Sequence, residues 1–284
     1  MKSLNKQRRL ALFVGAGISM GCGLPGWKEL VDRVVHDVWR SAPGFADHLR
    51  NGANLLAARY AKQKRGVKFN QVVHKALYTG DVQISRCVRA IAKSGVRQIC
   101  NFNFDDLLIE AILTDGTDCV VATPDEAFES RVDKVTIFHP HGILPLTYRG
   151  EELDSARIVF SEDDYHALYS DPYSWANIAQ LSLLTSYSVL FIGLSMQDPN
   201  LRRLIDTVRE RGFKNQHFAV FRDPAIGKRG DARVQANGQR KLIELDMRSL
   251  GVTPWFVDSH DKVAEIIENI RVNRIGQEEV ESAT

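Results

Sequence analysis

The chain lacks every compositional extreme that would declare its class at once. Its 284 residues contain only 4 cysteines, and none of Cys22, Cys87, Cys100 and Cys119 stands in a CxxC pair that could grip a zinc ion. That scarcity excludes a disulfide-stapled scaffold and leads us to expect reduced, buried thiols in a cytoplasmic protein. Neither sign of charge dominates, because 37 Lys and Arg against 35 Asp and Glu leave a formal net charge of +2. Nucleic acid and membrane surfaces usually demand a basic excess, so neither is expected as a direct partner. No apolar run approaches the ~18 residues of a membrane span. Lys2, Lys6, Arg8 and Arg9 ahead of the run Leu10 to Ile18 sketch a signal peptide, but Gly15 and Gly17 interrupt that run and no Ala-x-Ala-like site follows. There is no internal repeat and no low-complexity tract.

What remains is an ordinary globular composition, 44% hydrophobic and 25% charged. Its length suits one large domain or a core domain with a smaller companion. Short apolar, β-branched runs recur at Leu10 to Val14, Val96 to Asn101, Cys119 to Ala122, Lys134 to Phe138, Ser188 to Ile192, His217 to Phe221 and Pro254 to Val257. Helical periodicity lies between most of them, at Trp27 to Arg40, Asp105 to Leu113, Tyr173 to Leu184, Pro199 to Arg211 and Lys262 to Val272. Continuous apolar strands alternating with amphipathic helices predict an α/β fold, a doubly wound parallel sheet covered on both faces.

The first crossover is far longer than the dozen or so residues that a parallel connection needs. Residues 43–95 therefore read as a small helical insertion, with helices at Ala53 to Lys62, Phe69 to Leu77 and Val82 to Ala92. The expected organisation is a core domain over 1–42 and 96–276, the insertion over 43–95, and a fraying tail over 277–284. A second insertion runs from Leu146 to about Tyr187. It contains a capping box at Ser161 to Asp164, which starts the helix carrying Tyr165.

The strongest local signal is Gly15 to Trp27, GAGISMGCGLPGW, directly after the first strand. A strand feeding a glycine-rich turn and a helix offers bare backbone N–H groups to a phosphate. The dinucleotide fingerprint GxGxxG is not met, since its third position holds Met20. Other strand ends are polar too: Asn101 to Asp105, His139 to Gly142, and Gly193 to Asn200. An open parallel sheet gathers such ends around its ligand crevice. Asp198 also reads as a helix N-cap with Pro199 in the first turn, so capping and ligand contact both stay open for Asp198 and Asn200.

GAGIS, NFD at 103–105, HG at 141–142 and GLS at 193–195, in that order, resemble the motif set of the sirtuin superfamily, whose members bind NAD in a Rossmann-like domain. With GLPGW, DPNL and SEDDYHALY they are most similar to the sirtuin-like NAD hydrolases of bacterial anti-phage defence. The chain lacks the paired CxxC motifs of zinc-bearing deacylases, and Phe102 replaces the glutamine of their QNID segment. The resemblance implies that Gly15, Ala16, Gly17, Ile18 and Ser19 bind the pyrophosphate and adjoining ribose. It places Asn103 and Asp105 at the nicotinamide and its ribose, makes His141 the catalytic histidine, and sets Gly193 and Ser195 on the adenosine side, with Asp198 nearby. Asn103, Asp105 and His141 form the implied catalytic set, with NAD as substrate and no metal. His139, His74, His166 and Trp27 read as structural or surface residues.

The implied function is hydrolysis of NAD to nicotinamide and ADP-ribose as a toxic, NAD-depleting effector in abortive infection. The alternatives are a noncatalytic NAD or ADP-ribose sensor and a zinc-free NAD-dependent deacylase or ADP-ribosyltransferase. With little chain left over for a sensor, control is expected from a homo-oligomer or from a separate sensor or activator subunit. Lys228 to Lys241, rich in basic residues, reads either as a contact surface or as a solvated loop.

Overall fold

The computed structural model describes residues 1–124 and 134–271. Seven strands form one sheet: β1 (Leu10–Val14), β2 (Gln98–Asn101), β3 (Cys119–Ala122), β4 (Val135–Phe138), β5 (Ser188–Ile192), β6 (His217–Arg222) and β7 (Val252–Val257). Every pairing is parallel, in the order β3-β4-β2-β1-β5-β6-β7. The expected doubly wound α/β fold is therefore present.

Alternation along β1 explains why the sheet needs cover on both sides. Leu10, Leu12 and Val14 enter one core, packed beneath helices Trp27–Val38, Asn54–Arg65, Phe69–Leu77, Arg86–Ala92 and His260–Ile270. Ala11 and Phe13 enter the other, beneath Trp175–Ser186 and Pro199–Glu210. Phe13 is fully buried, with Phe102 and Phe191 ring centroids at 5.8 and 5.3 Å. Each such aromatic contributes about 1.5–3 kcal/mol through burial alone.

The two insertions share a joint. Phe160, from the second, packs against Trp27, Phe69 and Phe104 at 4.8, 5.5 and 5.7 Å. Asn70 donates to the carbonyls of Leu153 and Ala156, at 2.8 and 2.7 Å. Arg59 pairs with Glu162 at 2.8 Å, and Lys62 pairs with Asp163 and Asp164. The capping box is present: Ser161 N–H donates to Asp164 at 2.8 Å and opens helix Glu162–Ser170.

Three expectations are corrected. The helix placed at Val82 to Ala92 begins only at Arg86, because Ser85 caps it by accepting from Val88 N–H at 3.3 Å. The alternative of a solvated loop at Lys228 to Lys241 fails, since most of it lies in a 20-residue helix, Gly230–Ser249. Of the four free thiols only Cys22 and Cys100 are buried, while Cys87 and Cys119 are partly exposed. The tail at 277–284 lies outside the described residues. No described helix is long and apolar enough to cross a membrane.

Candidate active site

The order of the sheet decides where a site forms. Chain direction across the sheet reverses at β1, whose neighbours are β2 and β5, and loops leaving the strands on the two sides part there. The glycine turn after β1 and the Gly193 turn after β5 meet at that point. Gly15 N–H donates to Ile192 at 3.0 Å and Gly17 N–H to Gly193 at 2.9 Å. These two N–H groups are therefore committed within the protein, and not bare as the sequence suggested. The glycines bring the two backbones together: a Cβ on Gly17 would lie 2.7 Å from Gly193 Cα, and Gly193, at φ +66, could carry a side chain only with strain. Helix Ala16–Met20 follows and carries Ser19 inward, 3% exposed.

Beyond β2 the chain turns sharply, with Asn101 accepting from Asn103 N–H at 3.1 Å. Asn103 is thereby aimed at the glycine turn. Its Nδ2 donates to Gly15 O at 3.2 Å and to Ser19 Oγ at 2.9 Å, which uses both amide protons and leaves Oδ1 as an acceptor with no donor among the described residues. Ser19 also acts on the Asp105 carboxyl. Burial pushes the Asp105 carboxyl up to about 6, while the Ser19 hydroxyl and Leu107 N–H pull in the opposite direction. Asp105 precedes helix Leu107–Thr114 instead of beginning it. From β4, His139 reaches Asn103 O through Nδ1 at 3.2 Å, and burial lowers its pKa to about 4. It is a neutral strut, as the sequence implied.

Two residues further, Gly142 adopts φ +80 against the following insertion; a Cβ there would sit 1.9 Å from Arg157 O. That tight passage presents His141 edge-on to Phe102, centroids 5.1 Å apart. His141 is 7% exposed, and its Nε2 has no hydrogen-bond partner among the described residues. The nearest anion is Asp198 Oδ2, 3.6 Å away. Burial lowers the His141 pKa, and Asp198 and Asp164 oppose that shift. Asp198 has a double role. Oδ1 caps helix Pro199–Glu210 by accepting Leu201 N–H at 2.7 Å, and Oδ2 accepts the Tyr165 hydroxyl. Tyr165 was not read as a site residue from sequence; the SEDDYHALY segment was its only signal.

The remaining residues divide. Gly17, Ile18 and Gly193 line a cleft of about 300 Å³ that continues past Arg222, Val257 and Ser259 at the ends of β6 and β7. Ser195 is absent from its lining; it is exposed, and its hydroxyl accepts Gln197 N–H at 3.4 Å. Asn200 is fully buried and donates to Asn177 at 3.0 Å, a packing role. Trp27 packs on Phe160, His74 Nε2 lies 3.0 Å from Pro145 O, and His166 is exposed. Among the described residues no group of three or more His, Cys, Asp or Glu is placed to hold a metal.

Comparison with known proteins follows the same lines. The family model described as SIR2-like domain matches residues 97–243. A protein of Enterococcus faecium named NAD(+) hydrolase ThsA is 23% identical over 275 residues, covering 92% of this chain and 55% of that protein. Its namesake from Bacillus cereus is 21% identical, covering 94% of this chain and 55% of that protein. Defense-associated sirtuin 2 of Bacillus subtilis is 22% identical over 223 residues, 78% of this chain and 21% of that protein. The chain thus spans about half the length of the two hydrolases.

Proposed function

The chain belongs to the SIR2-like domain family, and we propose that it hydrolyses NAD to nicotinamide and ADP-ribose as an effector of anti-phage defence. The names of its relatives support the substrate and the setting. The observation that carries the reading is a buried histidine whose Nε2 has no hydrogen-bond partner among the described residues, on a sheet edge that also holds an asparagine whose amide protons are both spent.

Chemistry follows from what each group has left to offer. Nicotinamide departs as a neutral molecule from a pyridinium, so departure needs no general acid. The sugar left behind is oxocarbenium-like, as in glycoside hydrolysis, and needs negative charge beside it and a water in front. Asn103 Oδ1, fixed by Ser19 and Gly15, accepts from a ribose hydroxyl or that water. His141, held neutral by burial, takes a proton at Nε2 as the nucleophile forms. Asp105 carries charge above pH about 6 and balances the developing cation. The cleft of about 300 Å³ beside Gly17 and Gly193 supports assigning the adenosine end there. The scheme invokes no metal, and it acts in the cytoplasm, where NAD is consumed during infection. Control comes from self-association or from a separate sensor subunit.

Purified protein, alone and with the product of its neighbouring gene, is incubated with NAD while nicotinamide and ADP-ribose are quantified. Release of both, lost in Asn103→Ala and His141→Ala, is expected. NAD binding without turnover under either condition would convert the reading to a sensor, and dependence on an acylated peptide would convert it to a deacylase.

A further inference from the structure

Helix Gly230–Ser249 is the longest of the described helices, and only Ala236 and Met247 along it are buried. At 3.6 residues per turn, Val234, Gly238, Leu242 and Leu245 fall within an arc of roughly 80° on the side opposite those two. Val234, Leu242 and Leu245 are 70%, 67% and 56% exposed. A Cβ on Gly238 would meet nothing within 4 Å. Glycine weakens a helix interior, and no contact among the described residues requires it at this position.

We propose that this face is a two-fold contact between copies of the chain, the two helices running antiparallel and crossing at Gly238. Charge favours that direction, because a parallel pairing would set Asp231 against its own copy and Arg248 against its own. With Gly238 opposite its own counterpart, Val234 lies opposite Leu242. Asp231 then lies opposite Leu245, one turn from Lys241 on one side and from Arg248 on the other. Asp231 and Arg248 are exposed, and no ion pair is formed by either among the described residues; Lys241 reaches only Glu244, at 3.6 Å. The same symmetry repeats each contact, as an isologous interface requires. Gly238 allows the backbones to approach at the crossing, where a side chain would hold them apart. The helix stays anchored to its own chain from the far side and a flank, since Arg240 pairs with Asp223 at 2.5 Å and Asp246 with Arg202 at 2.7 Å. The contact deepens the proposal of control by self-association and rests on no catalytic step.

Sedimentation of the full chain over a concentration series, without NAD, tests it separately from hydrolysis. A dimer is expected, and Leu242→Glu should be monomeric with an unchanged circular dichroism spectrum. Asp231→Arg should weaken the dimer at least tenfold, and Asp231→Arg combined with Arg248→Asp should recover most of that loss. Gly238→Cys should give a disulfide-linked dimer on mild oxidation where the wild type gives none. A wild-type chain that stays monomeric throughout overturns the proposal. So does a dimer that survives Leu242→Glu and does not cross-link through position 238.

Discussion

His141 Nε2 stands 3.6 Å from Asp198 Oδ2, and the same carboxylate caps a helix and accepts the Tyr165 hydroxyl. The histidine from β4 and the helix after β5 are thereby joined through one side chain. Asparagine caps as well as aspartate but carries no charge. Asp198→Asn should therefore leave thermal stability nearly unchanged and lower the His141 pKa further, since Asp198 is the larger of the two charges that oppose the burial effect. The acid limb of hydrolysis that belongs to His141 should move to lower pH, read from kcat against pH. Tyr165→Phe, which removes the other partner of Asp198, should shift it less.

Asn103→Ala removes the fixed acceptor and the amide donor to Ser19 Oγ, while Gly15 O keeps Ile18 N–H at 3.1 Å. Hydrolysis should fall by about 10²-fold or more, as on removal of a positioned transition-state contact. Stability should fall by only about 1–3 kcal/mol. Urea denaturation beside turnover separates the two effects.

Asp105 gives a pH signature of defined sign. Its folded pKa, about 6, lies above the ordinary 3.8, so the folded protein holds the proton more tightly than the unfolded chain. The resulting stabilisation is complete below pH about 4 and is lost as pH rises through 6, about 3 kcal/mol for a shift of roughly two units. Asp105→Asn should flatten that part of the stability profile between pH 4 and 8. It should also slow hydrolysis most where the wild-type carboxylate is ionised, above pH 6.

Gly142→Ala places a methyl 1.9 Å from Arg157 O at φ +80. A shift of the second insertion or loss of the turn must follow, costing about 3 kcal/mol or more. Differential scanning calorimetry should show a large fall in Tm, whereas Gly150→Ala, whose Cβ meets nothing within 4 Å, should lower it far less.

Strands were legible because they are buried on both faces: β1 and β5, as continuous apolar runs, end at the residues that their composition suggested. Helix Gly230–Ser249 was not, since a helix with two buried positions and a central glycine leaves almost no 3.6-residue signal. The polar strand ends marked where chemistry gathers, but not how the loops meet. That Gly17 touches Gly193, or that Tyr165 reaches Asp198, depends on strand order and on the Phe160 joint between insertions, both long-range properties. Ser195 shows the opposite limit, because its place in a motif did not bring it to the cleft.

The glycine seam between the turn after β1 and the turn after β5 also sets when the candidate site can close. Its two halves lie far apart in the chain, so the Gly17 to Gly193 contact forms only once β5 has been synthesised and laid beside β1. A nascent chain that has not reached residue 193 holds Asn103 and His141 but no closed cradle, and the partners of His141 on the helix beginning at Pro199 are later still. For the NAD hydrolysis proposed above, the topology acts as a safety catch: a truncated or half-made copy has no closed site.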